Sequence, residues 1–459
     1  PPETEKSVRI VVQFSYYDEM DRLEALVVEL LSQDPVAILT DSWFFAKREL
    51  PRVLISSSKH ESPVQNDYSA AAQRSTDFVV VSPQTHETGR RIEQALSSRA
   101  ATASGVRRAF SDSKFSLREP QAVSPSSNES SNRAKQLLSD GNGALFGADL
   151  LWRSNFFGSG VRIAVFDTGI GSKCTVVSHV EERSGWTDDG LVIDEVGHGT
   201  FVSGIIAGAH SQCPGLAPKA TILSFRVFSG AQTSFTSWFL DAFNYALAAR
   251  VDIVNLSIGG PDHADIPFMD KVRELSAAGV TIVSAIGNDG ARWGSANNPA
   301  DMLDVVGVGG IERDGHIASF SSRGMTLHEF GGNNAFSYGR IKPDVVTFAR
   351  SLSAPSHRNG CASCATLSGT SVAAPVVTGA VALILSAVDP LLRPSVSNPG
   401  AIKRALLEGA TRLSGSSMFE QGAGLLDISR SAHALQRIAV EHARAEAVVS
   451  TALSGGDYK

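Results

Sequence analysis

The stretch VRIAVFDTGIG (residues 161–171) is a nearly continuous apolar run that ends in an aspartate and then a glycine-containing turn. A strand buried on both faces has this composition, because no position needs to face water. An acid at the carboxyl end of such a strand sits where open α/β sheets collect ligands and catalytic groups. The same pattern recurs downstream at ATILSFRVF (220–228), VDIVNLS (251–257), VTIVSAIG (280–287) and DVVGVGG (304–310). Segments with helical patterning separate these runs, including TSWFLDAFNYALAAR (236–250) and PFMDKVRELSAAG (267–279). Strands alternating with helices predict an α/β fold: a mainly parallel sheet between two helical layers.

Upstream the pattern differs. VRIVVQF (8–14) reads as a strand, and Leu23, Leu26, Val27, Leu30 and Leu31 then recur at helical spacing. Strand candidates follow at 53–56 and 77–81, then a helix candidate at 90–97 and a last strand at 105–110. The order βαββαβ predicts a ferredoxin-like α+β domain over residues 1–118. Residues 119–143, EPQAVSPSSNESSNRAKQLLSDGNG, are rich in Ser and Asn and lack apolar periodicity, so they read as an exposed linker open to nicking. The sheet domain is expected over 144–435. Residues 436–459 read as a helical tail whose ending, SGGDYK, resembles a linker and the beginning of an artificial tag.

At 459 residues the chain is long enough for two or three domains, and its 42% hydrophobic content allows a sizeable core. The net charge of −6 and the lack of a basic stripe argue against nucleic acid as a partner. No apolar run approaches the roughly 20 residues of a membrane span. Cys174, Cys213, Cys361 and Cys364 could form one or two bridges, with three connectivities open if all pair. The CASC spacing at 361–364 is also that of redox motifs, but it lies in a Gly/Ser-rich loop. A glycosylation sequon at Asn128 fits a secretory route, whereas the one at Asn255 lies in a buried strand and is discounted.

Three further motifs join Asp167. VGHGTFVSGIIAG (196–208) places His198 between glycines at the start of a small-residue helix. GTSVAAP (369–375) places Ser371 just before a long Val/Ala run. SAIGNDG (284–290) places Asn288 after a strand. Each alone has an ordinary reading: a turn-forming aspartate, a packed histidine, an Asn-Asp-Gly turn, a helix start. Together, at strand and helix ends of one sheet, they form an Asp-His-Ser triad in one of its known chain orders. Asn288 and the backbone N–H of Ser371 would supply the oxyanion donors.

VFDTG, GHGT and SGTSVAAP resemble the signatures of the subtilisin family of serine proteases over roughly residues 145–435. The resemblance implies the three-layer subtilisin fold and peptide-bond hydrolysis by Asp167, His198, Ser371 and Asn288. It also implies a substrate-binding wall from Ser257, Ile258, Gly259 and Gly260 and from Ala285, Ile286 and Gly287. NLSIGGPD, VSAIGNDG, FSSRGM and MFEQGAGLLD further resemble the site-1 protease branch of that family. That likeness implies a zymogen of the secretory-pathway lumen (endoplasmic reticulum and Golgi) that cleaves membrane-anchored or secreted precursors. Its partners would be precursor segments and its own inhibitory propeptide. The membrane would be reached only through a segment that this chain lacks.

Such enzymes favour Arg four residues before the cut and an aliphatic residue two before it. Asp262 and Asp265 are candidates to attract that Arg, against the plainer reading of an acidic loop. RAKQLL (133–138) resembles a maturation sequence, and Arg107-Arg108 could mark an earlier cut. The family also implies structural Ca²⁺, with ligands unassigned, and no organic cofactor. Two alternatives stay open: a subtilisin-like protease of another branch, or a catalytically silent binding module.

Overall fold

The computed structural model describes residues 9–32, 43–45, 52–57, 60–62, 75–83, 86–99, 105–117, 146–260, 265–326 and 339–454. The linker 119–143, with Asn128 and RAKQLL, and the loop position Asp262 lie outside them.

The first unit runs through β1 (Ile10–Glu19), α1 (Met20–Ser32), β2 (Trp43–Phe45), β3 (Arg52–Ser57), β4 (His60–Ser62), β5 (Ser75–Pro83), α2 (His86–Arg99) and β6 (Val106–Ser111). Its antiparallel sheet has the order β2-β5-β1-β6, the order of the split βαββαβ topology. Leu23, Val27, Leu30 and Leu31 on α1 and Ile92 and Leu96 on α2 close over Val12, Phe14, Val79 and Val81. The opposite sheet face carries Val11, Phe78 and Val80.

One strand is not where the sequence pattern put it. The second strand of this sheet is Trp43–Phe45, whereas the run expected at 53–56 is β3, which leaves the unit altogether. It pairs antiparallel with the outermost strand of the larger sheet, Leu54 opposite Arg183 and Ile55 opposite Glu182. Period-two patterning identifies a strand but not its partner, and a free sheet edge offers unpaired backbone groups to any nearby extended segment.

After β7 (Lys114–Ser116), which ends the first unit, the larger unit is built from β8 (Arg162–Asp167), β9 (Val180–Gly185), α3 (His198–Ala207), β10 (Thr221–Arg226), β11 (Thr233–Phe235), α4 (Thr236–Ala248), β12 (Ile253–Leu256), α5 (Ile266–Ala277), β13 (Thr281–Ala285), β14 (Val305–Ile311), β15 (Val345–Phe348), β16 (Leu352–Pro355), β17 (Cys364–Leu367), α6 (Thr370–Ser386), α7 (Pro399–Gly409) and α8 (Ile428–Ser454). Its sheet has the order β15-β14-β13-β12-β8-β10-β9-β3-β4, and the strands from β15 to β9 pair in parallel. The chain turns from one half of the sheet to the other between β8 and β12, so Asp167 ends a strand at the switch point.

Side chains alternate along each strand, and the two faces bury different layers. Ile163, Val165, Ile222, Ile253 and Val283 pack under α3 and α6, and Ala164, Phe166, Leu223, Phe225 and Val254 pack under α4 and α5. All of α6 is buried; roughly 1.5–3 kcal/mol per large apolar side chain makes it an anchor of the core. The boundary expected after residue 435 falls inside α8, whose Leu435, Ile438 and Ala439 belong to that same core.

The cysteines pair as Cys174–Cys361 and Cys213–Cys364. The two members of the CASC motif therefore join different partners, which removes the redox-motif reading. Both bridges tie the β16–β17 hairpin to segments flanking α3. Asn255 is fully buried, bonded to Ser257 and Thr378, so its sequon is internal.

Candidate active site

Asp167 and His198 are both buried, and the imidazole Nδ1 lies 2.8 Å and 2.9 Å from the two carboxylate oxygens. The Thr168 N–H also donates to Asp167, at 2.8 Å, which fixes the carboxylate plane. Gly197 caps α3 with φ of 101°, and a Cβ there would meet His357 Nδ1 at 2.1 Å. Only glycine turns the chain there, so His198 becomes the first residue of the helix. Burial pulls the His198 pKa down, but the charge and hydrogen bond of Asp167 and the charge of Asp194 outweigh it. The net direction is upward.

Asp194 was not picked out from the sequence, because it lies upstream of the N-cap, Gly197, where no capping pattern marks it. It is buried and fully engaged. Oδ1 accepts from Thr168 Oγ1, Val196 N and Gly197 N, and Oδ2 accepts from Thr200 N and Thr200 Oγ1. Thr168 Oγ1 in turn accepts from Gly199 N. The turn after Asp167 and the helix start at His198 thus share one hydrogen-bonded knot.

Ser371 occupies the first turn of α6, which packs against α3. Helix-start amides lack intrahelical acceptors, so the Ser371 N–H points where an anion would be stabilised. Gly369, at φ of 151°, provides the entry. Pro375 lacks the N–H that would otherwise reach back to the Ser371 carbonyl. The Ser371 hydroxyl and His198 Nε2 are both buried, and among the described residues neither has a hydrogen-bond partner. Such contacts are often long without substrate and tighten when it binds.

Asn288 lines the same cleft as Ser371. Its Oδ1 accepts from Thr370 N at 2.8 Å and Thr370 Oγ1 at 2.9 Å. A backbone N–H can only donate, so that side of the amide must be oxygen, and Nδ2 is left as donor toward the cleft. Gly287 has φ of 112°, and a Cβ there would meet Asn297 Cγ at 2.6 Å. Ser257, Ile258, Gly259, Gly260, Ala285 and Gly287 all line this cleft. Ile286 does not: its side chain is buried with Ala296 and Ala300. Strand alternation explains the exception, since neighbours in an extended chain face opposite ways.

Asp265 is also buried rather than presented to a ligand. It caps α5 through Phe268 N and holds Thr236 Oγ1. Among the described residues, the group with metal-ligand spacing is His210, Cys213 and Cys364. Both of its sulfurs are consumed in a disulfide, so it does not fit the oxygen cage that calcium requires.

The cleft is not open along its whole length. β7, from the end of the first unit, pairs antiparallel with β11, Ser116 opposite Thr233 and Phe115 opposite Ser234. The Leu117 N–H continues the ladder to the Gln232 carbonyl at 2.8 Å. Phe115, Ser116 and Leu117 line the same cavity as Ser371 and Asn288. Sequence patterning missed this strand because three residues carry no readable period.

The model of the Subtilase family matches residues 158–424. Over 315 residues the chain is 49% identical to the Subtilisin-like protease SBT6.1 of Arabidopsis thaliana, covering 68% of this chain and 30% of that protein. Over 284 residues it is 51% identical to the human Membrane-bound transcription factor site-1 protease, covering 62% of this chain and 26% of that protein. Both relatives are thus much longer than the matched part. The solved structure of the Prenylagaramide maturation protease PagA superposes with a TM-score of 0.52 at 24% identity, over 63% of this chain and 98% of that one, a likeness in fold.

Proposed function

The chain belongs to the subtilase family, and from that membership we propose that it is a serine endopeptidase of the secretory pathway, made as a zymogen. One observation carries the chemistry: the buried Asp167–His198 pair and the Ser371 hydroxyl, unpartnered among the described residues, are held by two helices that pack together, and that serine shares a cleft with Asn288. In this reading His198 takes the Ser371 proton as Oγ bonds to the scissile carbonyl carbon, and Asp167 stabilises the imidazolium. Asn288 Nδ2 and the Ser371 N–H receive the developing oxyanion. The imidazolium then returns its proton to the departing amine, and water hydrolyses the acyl-enzyme by the same route.

The substrates proposed are luminal segments of membrane-anchored or secreted precursors; the human relative is named for a membrane-bound transcription factor. Two disulfides support an oxidising compartment. The first unit acts as the inhibitory propeptide, a role supported by β7 lying in the cleft. Among the described residues no helix is long and apolar enough to cross a membrane. The test is a fluorophosphonate probe: wild type labels, Ser371→Ala does not, and Asn288→Ala turns over peptide about 10²–10³ more slowly. Equal labelling of Ser371→Ala would refute the assignment.

A further inference from the structure

The strand β3 belongs to a different sheet from the strands that flank it in the chain. β2 and β5 pair within the first unit, whereas β3 lies along β9 of the larger sheet and turns back into β4. The split βαββαβ topology has no place for this hairpin. The described core of the first unit draws on β1, α1, β5, α2 and β6 instead.

Among the described residues β9 pairs with β10 on one side and with β3 on the other. Without β3, that second side would be a row of unpaired N–H and C=O groups. The larger unit itself holds this edge in place. Arg162 pairs with Glu181 at 2.6 Å, Tyr245 Oη donates to Glu182 at 2.9 Å, and Trp186 Nε1 donates to Ser184 Oγ at 2.9 Å. A preformed edge leaves the ordering cost to the added strand alone.

The first unit is thus fastened by backbone pairing at two places, β7 on β11 in the cleft and β3 on β9 at the sheet edge. While one pairing holds, a strand that leaves the other stays tethered and rebinds as an intramolecular event. A cut within residues 119–143 breaks neither.

We propose that the β3–β4 hairpin is a latch: by adding to the β9 edge it keeps the first unit on the larger one after the linker is cut, and so keeps β7 in the cleft. The inhibitory consequence rests on the serine-protease reading of that cleft; the retention does not.

Val53→Pro and Leu54→Pro, in separate full-length chains, test it. Consecutive amides of a strand point to opposite sides, so one of the two prolines removes a donor directed at β9. After limited trypsin digestion at Arg133 or Lys135, the first unit should co-elute with the larger one in the wild type and in Leu54→Ala. In that proline variant it should separate about tenfold or more faster, and a fluorophosphonate should label Ser371 correspondingly sooner. Amide exchange in β1 and β5 should stay as in the wild type. Release no faster in either proline variant, or faster only with lost protection in β1 and β5, would overturn the latch and leave the protease reading intact, since co-elution needs no catalysis. Absence of labelling in every variant would overturn that reading, and with it the inhibitory role of the latch.

Discussion

At the scale of single residues, two carboxylates bear on the His198 imidazole in different ways. Asp167 touches it directly, while Asp194 acts through the knot at the start of α3 and through its charge. In the proposed mechanism the base must be neutral to accept the Ser371 proton, so activity should rise with pH as His198 loses its own. Because the His198 pKa is raised, the acid limb of kcat/KM should lie above the ordinary histidine value of about 6.5. Asp194→Asn removes one of the charges that raise it. The limb should therefore move to lower pH, and kcat should fall as the amide disturbs donors at Thr200 or Gly197. A pH–rate profile checks both. An unmoved limb with lowered kcat would mean that Asp194 acts only as scaffold.

At the scale of elements, α4 borrows its cap. Its N-cap residue, Phe235, offers no side-chain acceptor. Asp112 of the first unit supplies one instead, accepting from Ser237 N at 2.9 Å and Ser237 Oγ at 2.7 Å. Burial raises the Asp112 pKa, and those Ser237 bonds oppose the rise. Asp112→Ala should cost about 1 kcal/mol at this helix end, seen as roughly fivefold faster amide exchange at Ser237, with Asp112→Asn losing less. Unchanged exchange would remove the cap from the account. This cap also marks the limit of what the sequence makes legible. The buried runs at β8, β10, β12, β13 and β14 stand out because a parallel strand excludes polar residues from both faces. β9, VEERSG, hides because Glu181, Glu182 and Arg183 occupy an edge-side strand. The proposed triad, Asp167, His198 and Ser371, and Asn288 are readable from short motifs at strand and helix ends. Asp194, Asp112 and Phe115 are not, since their value depends on partners distant in the chain.

At the scale of the whole molecule, the first unit is joined to the larger one by more than the strand in the cleft. Phe78 and Val80 pack on Leu240 of α4. Asp77 meets the fully buried Lys271 at 2.9 Å, and Asn244 donates to Asp77 at 3.2 Å. Arg9 pairs with Asp188, and β3 extends the main sheet beside β9. Glu182 lies in that joint: it is buried on β9, its Oε2 accepts from Tyr245 Oη at 2.9 Å, and its Oε1 has no partner among the described residues. Burial pushes its carboxyl up to about 7, and the Tyr245 hydrogen bond opposes that rise while Glu181 adds to it. The folded state therefore holds a proton that the unfolded chain, with an ordinary glutamate near 4.5, has already released. From pH of about 4.5 to about 7 this group costs stability as pH rises, and above about 7 the loss is complete. Glu182→Gln fits the same volume without a charge to bury. Its melting temperature relative to wild type should show no gain near pH 4.5 and a gain at pH 8 on the order of 3 kcal/mol in stability. If the difference between the two proteins stays constant across that range, Glu182 is ionised in the folded molecule and the joint carries no buried proton.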